Sequence, residues 1–283
     1  MRTATYDDRL VIVTDRGGVD VEQLSAGRFS ADPQEIYPRW DEFRAWARDA
    51  DVDQAPTVEL DDRRLGAPTP RPAQILAVGL NYRSHATEAG FSVPDGLPPV
   101  FTKFRSAISG PVTEVVHPGG DVDWEVELAV VIGRESRAIA AGDAWSVVAG
   151  LTVAQDLSER RLQMSGPAPQ FSLGKSYPGF LPLGPHLVTP DEFTDPDDLT
   201  LRALVDGEVV QQGTTQDLIV PVPDLIAGLS AVVTLLPGDV ILTGTPAGVG
   251  MGMKPPRYLQ PGHTLTSTIT GIGTLRQNFR SPA

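Results

Sequence analysis

The sequence predicts a strand-rich α+β fold, with a small N-terminal domain over residues 1–70 and a larger catalytic domain over 71–283. Three observations predict it. Strand-like runs bounded by Gly, Pro and Asp recur along the second part of the chain, and helical periodicity is scarce there. Between the two parts, Gly66-Ala-Pro-Thr-Pro-Arg-Pro72 sets prolines at alternate positions, which favours extended backbone and removes amide donors.

The N-terminal part opens with a strand at 10–13. After Pro38, which suits a first helical turn, Trp40, Phe43 and Ala47 with the flanking Trp46 fall at helical spacing. Beyond the prolines comes an apolar run at 75–80, then strands at 125–132, 151–154, 199–205 and 240–242. Helices are expected at 144–149 and at 223–232, the latter with Pro and Asp in its first turn. No internal repeat or low-complexity tract interrupts this order.

With 283 residues the chain is long enough to bury a sizeable core. Its formal charge of −13, without a Lys/Arg-rich block, disfavours nucleic acid and anionic membranes as partners. An anionic small substrate stays possible where a bound cation reverses the sign locally. There are no cysteines, which excludes disulfides, thiolate metal sites and Cys nucleophiles. The charged first twenty residues carry no apolar run fit for a signal or a span, so a cytoplasmic location is expected.

In Asp121-Val-Asp-Trp-Glu-Val-Glu-Leu-Ala-Val-Val, polar and apolar residues alternate. On a strand this places Glu125 and Glu127 on one face, with Trp124, Val126 and Leu128 on the other. An isolated Glu-x-Glu is more often a solvated edge-strand face; the alternative is a pair of oxygen ligands. Asp156 closes the run Leu151-Thr-Val-Ala-Gln, where it serves either as a third ligand or as a cap of a following helix. Three carboxylates without Cys or a His pair suit a hard cation, Mg²⁺ first, with Mn²⁺ or Ca²⁺ as options, and not zinc. With one divalent ion such a set keeps a net charge of about −1, so an anionic substrate needs a nearby basic side chain. Lys175 is the candidate, although a solvated surface lysine is the commoner role. Gly174-Lys175-Ser176 is not a phosphate-binding loop, because Pro169 occupies the place of the leading glycine.

His85 and Glu88 lie three apart, which puts them together on a helical face. Such a pair can deprotonate water, and it is equally the spacing of an ordinary surface pair. His117, His186 and His263 stand beside turn elements and read as structural. No Gly-x-Ser-x-Gly or His-Glu-x-x-His is present, and Gly248-Val-Gly-Met-Gly252 has the wrong spacing for a dinucleotide fingerprint.

Taken in order, Gly79-Leu-Asn-Tyr-Arg-Ser-His-Ala-Thr-Glu88, Asp123-Trp-Glu-Val-Glu-Leu-Ala-Val-Val-Ile-Gly133, Asp156-Leu-Ser-Glu-Arg160, Gly174-Lys-Ser176, Pro182-Leu-Gly-Pro185 and Pro237-Gly-Asp-Val-Ile-Leu-Thr-Gly-Thr-Pro246 resemble the fumarylacetoacetate hydrolase family. The resemblance spans residues 72–273. It implies a mixed β-sandwich or β-roll catalytic domain, a homodimer, and a divalent ion on Glu125, Glu127 and Asp156. It also implies a water-activating dyad of His85 and Glu88, with Lys175 in the pocket. Thr245, Gln163 and Asn81 are the implied substrate contacts, and residues 81–98 resemble a lid. Where the family often has an acidic residue after the arginine of its Asp-x-Ser-x-Arg motif, this chain has Arg161. The expected reaction is hydrolytic carbon–carbon cleavage of an acylpyruvate-like 1,3-dioxo acid. Decarboxylation, isomerisation or hydration of a related 2-oxo acid is the alternative that the same family allows.

Overall fold

Two sheets packed face to face set the stage for the site in the computed structural model, which describes residues 1–282 apart from 91 and 93–95. Among the described residues the larger sheet has eleven strands. Its centre is the antiparallel pair Val126–Ile132 and Val148–Gln155, both buried along their whole length. Central strands covered on both faces need apolar residues throughout, which explains why Leu128-Ala-Val-Val-Ile132 and Val148-Ala-Gly-Leu151 lack polar alternation. Leu181–Val188 flanks this pair on one side; Val240–Leu242 and Ile75–Val78 flank it on the other. The second sheet runs Glu208–Thr214, Thr200–Val205, Thr264–Ile269, Gly273–Arg280, Val112–Val116. Its Leu201, Ala203 and Leu265 share one core with Val126, Leu128 and Val153.

This is the strand-rich α+β architecture that the sequence predicts. The strands expected at 10–13, 125–132, 151–154, 199–205 and 240–242 form, as do the helices Trp40–Asp49 and Val222–Val232. One helix differs. Residues Ala141–Val147 make a 3-10 helix, and the chain turns extended at Val148 because β-branched Val147 and Val148 open a central strand.

Residues 1–66 contribute Phe29, Tyr37, Trp40 and Phe43 to a second apolar core. That core also takes in Val131, Ala149 and Leu187, and Arg2–Tyr6 pairs antiparallel with Leu181–Val188. The N-terminal region is thus an extension of the larger sheet in structure. We keep the boundary near residue 70 as a proposal about domain organisation. No helix among the described residues is long and apolar enough to cross a membrane.

Candidate metal centre and active site

The registration of two strands assembles the carboxylates. Val126 pairs with Gln155, and one residue beyond, the Asp156 N–H donates to the Glu125 carbonyl at 2.9 Å. Glu125, Glu127 and Asp156 therefore converge from adjacent strand ends. All three are buried, and each offers an oxygen within 4.8 Å of the others. The solvated-edge alternative for Glu-x-Glu does not describe these residues. Nor does Asp156 cap the following helix; the Glu159 side chain caps Arg160–Gln163 by accepting from Arg161 and Leu162 N–H.

Three buried cations surround the cluster. Lys175 Nζ lies 2.6 Å from Glu125 Oε2 and 2.7 Å from Asp156 Oδ2. Lys103 Nζ lies 2.5 Å from Asp156 Oδ1 and donates to the Leu157 carbonyl at 3.1 Å. The Arg160 guanidinium is 2.8 Å from both Asp123 Oδ2 and Glu125 Oε1. Lys175 is thus an interior lysine, not a surface one. Among the described residues no basic side chain pairs with Glu127, whose Oε2 accepts only the Gly244 N–H, at 2.7 Å. Gly244 has φ +99° there, a left-handed value that a side chain would strain.

The charges respond to these positions. Burial, then the neighbouring charges of Asp156 and Glu125, push the Glu127 carboxyl well above the ordinary glutamate range. For Glu125 burial acts the same way but is outweighed by Lys175, Arg160 and His85, which hold its carboxyl well below that range. Burial pushes the Lys103 ammonium down to about 8 despite Asp156, whereas Asp156 and Glu125 outweigh burial and raise Lys175. When all are ionised, four carboxylates (Asp123, Glu125, Glu127, Asp156) face three cations (Lys103, Lys175, Arg160), an excess of one negative charge that the raised Glu127 carboxyl avoids by keeping its proton until a cation takes the proton's place. A divalent ion would leave the site net positive, the sign an anionic substrate requires.

His85 and Glu88 sit on the helix Arg83–Glu88, with Nδ1 3.2 Å from Glu88 Oε2. Glu88 Oε1 accepts the Gly248 N–H at 2.9 Å. Burial works against ionisation of Glu88, yet His85 and this amide hold its carboxyl below the ordinary range. The turn whose Gly248 N–H bonds Glu88 also supplies the Gly244 N–H that bonds Glu127, so one turn touches both the dyad and the cluster.

The sequence profile described as fumarylacetoacetate (FAA) hydrolase C-terminal matches residues 74–280. The chain belongs to the fumarylacetoacetate hydrolase family. It is 46% identical over 231 residues to the human protein named oxaloacetate tautomerase FAHD2A, mitochondrial, covering 81% of this chain and 73% of that one. A fumarylacetoacetate hydrolase from the psychrophile Exiguobacterium antarcticum is 34% identical, with a TM-score of 0.88 and full coverage of both chains. Maleylpyruvate hydrolase from Sphingobium sp. SYK-6, crystallised with manganese(II) and pyruvate, is 30% identical with a TM-score of 0.82, again over both full chains.

Within this family frame the remaining expected residues can be placed. Thr245 Oγ1 donates to the Val126 carbonyl at 2.9 Å, and Gln163 Oε1 accepts from Arg160 Nη1 at 2.9 Å, so both border the cluster through its neighbours. The Asn81 amide is engaged by backbone: Nδ2 donates to Val220 and Thr243 carbonyls, and Oδ1 accepts the Val220 N–H. It braces the turn after the Val240–Leu242 strand. Residues 91 and 93–95 of the lid-like segment lie outside the described residues. Arg161, the departure from the family pattern, points to solvent and pairs with Asp121 at 2.8 Å. His117, His186 and His263 bond to backbone near turns. Sequence reasoning missed Lys103, which has no partner at helical or strand spacing, and gave no role to Arg160 although it closes a quoted motif.

Proposed function

We propose that the chain is a divalent-metal-dependent enzyme that hydrolyses a carbon–carbon bond in an acylpyruvate-like 1,3-dioxo acid. The observation that supports this reading most is the placement of a carboxylate-held histidine beside a three-carboxylate cluster that lacks one positive charge. Glu125, Glu127 and Asp156 would hold the ion. Their all-oxygen donors suit Mg²⁺ or Mn²⁺, and the burden of like charge on Glu127 is what a cation relieves. When bound, the ion supplies Lewis-acid polarisation of the substrate's 2-oxo acid end.

The chain's own groups do the rest. Glu88 holds Nδ1 of His85, which fixes the tautomer and leaves Nε2 to take a proton from the attacking water. Lys175, the cation shared by Glu125 and Asp156, stabilises negative charge on the attacked carbonyl oxygen. Gln163 and Thr245 border the proposed substrate pocket, and Asn81 shapes it through its bonds to the Val220 and Thr243 backbone rather than by touching the substrate. The manganese and pyruvate in the maleylpyruvate hydrolase relative are the ion and product type this reading expects. A homodimer and a cytoplasmic location belong to the same proposal.

The 46% identity to an oxaloacetate tautomerase favours a second reading, in which His85 takes a proton from the carbon next to the 2-oxo group and returns one to the oxygen, so that a C–H bond breaks, an O–H bond forms and no carbon–carbon bond is cleaved. A panel of acylpyruvates, oxaloacetate and 2-oxo-enoates, assayed with Mg²⁺ or Mn²⁺ and with EDTA, separates the two. Hydrolysis predicts pyruvate and a carboxylic acid in equal amounts from acylpyruvates. Rapid enol–keto conversion of oxaloacetate with no acylpyruvate cleavage would establish the second reading instead.

A further inference from the structure

A buried glutamine outside every quoted motif ties the second sheet to the site. Gln211 lies on the strand Glu208–Thr214 and is 1% exposed. Its Oε1 accepts the Val126 N–H at 3.0 Å, while its Nε2 donates to Thr245 Oγ1 and to the Pro246 carbonyl, both at 2.8 Å. Thr245 Oγ1 in turn donates to the Val126 carbonyl at 2.9 Å. One amide and one hydroxyl thus hold both backbone groups of the residue between Glu125 and Glu127.

The surrounding backbone is shaped to this clamp. A Cβ on Gly213 would lie 2.6 Å from Pro246 Cβ, and one on Gly248, at φ +103°, would lie 2.0 Å from the Val210 carbonyl oxygen. The clamped turn reaches both halves of the site. Gly244 N–H bonds Glu127 and Gly248 N–H bonds Glu88.

We infer that Gln211 is a positioning residue that sets the Glu125–Glu127 backbone against the 243–248 turn, and thereby sets divalent-ion affinity and turnover. The inference rests on the reading of the carboxylates as an ion site. An amide presents a donor and an acceptor at fixed separation, which is what Val126, Thr245 and Pro246 require together. Leucine keeps the volume but strands those groups without partners. Protonated glutamic acid keeps the acceptor for Val126 and one of the two donated bonds, whereas the carboxylate donates neither, and burial favours the protonated form.

The test is calorimetric titration with Mg²⁺ and Mn²⁺, plus steady-state kinetics, on the full chain, Gln211→Leu, Gln211→Glu and Gln277→Leu. Gln277 is the control. It is buried in the same sheet and donates to the Pro111 carbonyl at 2.9 Å, without touching the site. Gln211→Leu should weaken ion binding about tenfold or more and lower kcat. Gln277→Leu should keep affinity and kcat within about twofold of the parent. For Gln211→Glu, the ratio of its kcat/KM to that of the parent at the same pH should rise as pH falls. Parent-like affinity in Gln211→Leu, or an equal loss in Gln277→Leu, overturns the inference. Should Gln211→Leu fail to fold, a ratio for Gln211→Glu that is flat with pH overturns it. A parent chain that binds neither ion overturns the metal reading itself, and this inference with it.

Discussion

Two glutamates show how differently the surface and the interior of this molecule treat a charge. Glu42, exposed on the helix Trp40–Asp49, lies 2.9 Å from Arg28 and 2.8 Å from Arg39, and these guanidiniums push its carboxyl down to about 2. Glu127 is buried, and burial together with two like charges pushes its carboxyl the opposite way. Side chains and water satisfy the first charge. The second has a single backbone N–H. Excess negative charge in the interior is costly unless something external neutralises it, so its retention at a convergence of strand ends argues for a cation.

The largest expected effect comes from removing that charge. Glu127→Ala should abolish Mg²⁺ binding by calorimetry and catalysis with it, while the far-ultraviolet circular dichroism stays that of the parent. Parent-like ion affinity in this variant would remove the basis for contrasting the two glutamates.

His85→Ala should sharpen the comparison by splitting binding from chemistry. Loss of a general base lowers the rate on the order of 10² to 10⁴. Ion affinity should hold within about twofold, since His85 bonds Glu88 rather than a cluster oxygen. Unchanged acylpyruvate turnover under conditions where chemistry limits the rate would remove His85 from the mechanism.

How much of this was legible in the sequence follows from the range of each interaction. Periodicity gave Val126–Ile132, Thr200–Val205 and Val222–Val232 because strand and helix patterns are local. Glu125 and Glu127 were visible through their alternation, and His85 with Glu88 through their helical spacing. Lys103 was invisible: its contact with Asp156 spans 53 residues and depends on the sheet, not on local pattern. The same holds for Gln211, which meets Val126 from 85 residues away. Residues 144–149 misled because their helical signal ran into a β-branched strand start at Val148. Counting only the sequence-visible groups gave a site of about −1 with the ion bound. That count covers the three carboxylates and the ion alone; Lys175, which the sequence also offered, brings it to about zero, and Lys103, Arg160 and Asp123 together make it positive.

Glu127 also gives stability a pH signature of fixed sign. Its folded pKa is raised, so its contribution to stability is fully present below the unfolded glutamate range and is lost as pH rises through the folded value. A divalent ion replaces the proton. The Mg²⁺-induced rise in melting temperature should therefore grow as pH increases from the ordinary glutamate range toward neutrality. Glu125 acts in the opposite sense, losing its contribution as pH falls, so the comparison must be made with and without ion at each pH. Melting curves in EDTA and in Mg²⁺ across that range measure the difference. A difference that shrinks with rising pH would contradict the assignment of the excess charge to Glu127.

The smallest expected effect lies at Arg161. Arg161 stands next to Arg160, yet its side chain is 70% exposed and reaches Asp121, while Arg160 is buried against Asp123 and Glu125. Adjacent residues on a short helix turn point apart, so one arginine belongs to the cluster and the other to the solvent. An exposed pair of this kind is screened by water and salt and transmits little to a buried site. Arg161→Gln should accordingly leave Mg²⁺ affinity and kcat/KM within about twofold of the parent, and the same assay repeated in high salt should show no further change. Arg160→Gln serves as the paired measurement, because it strips Glu125 of a buried partner and should weaken ion binding clearly. If the two variants behave alike, the boundary drawn here between surface charge and site charge is in the wrong place.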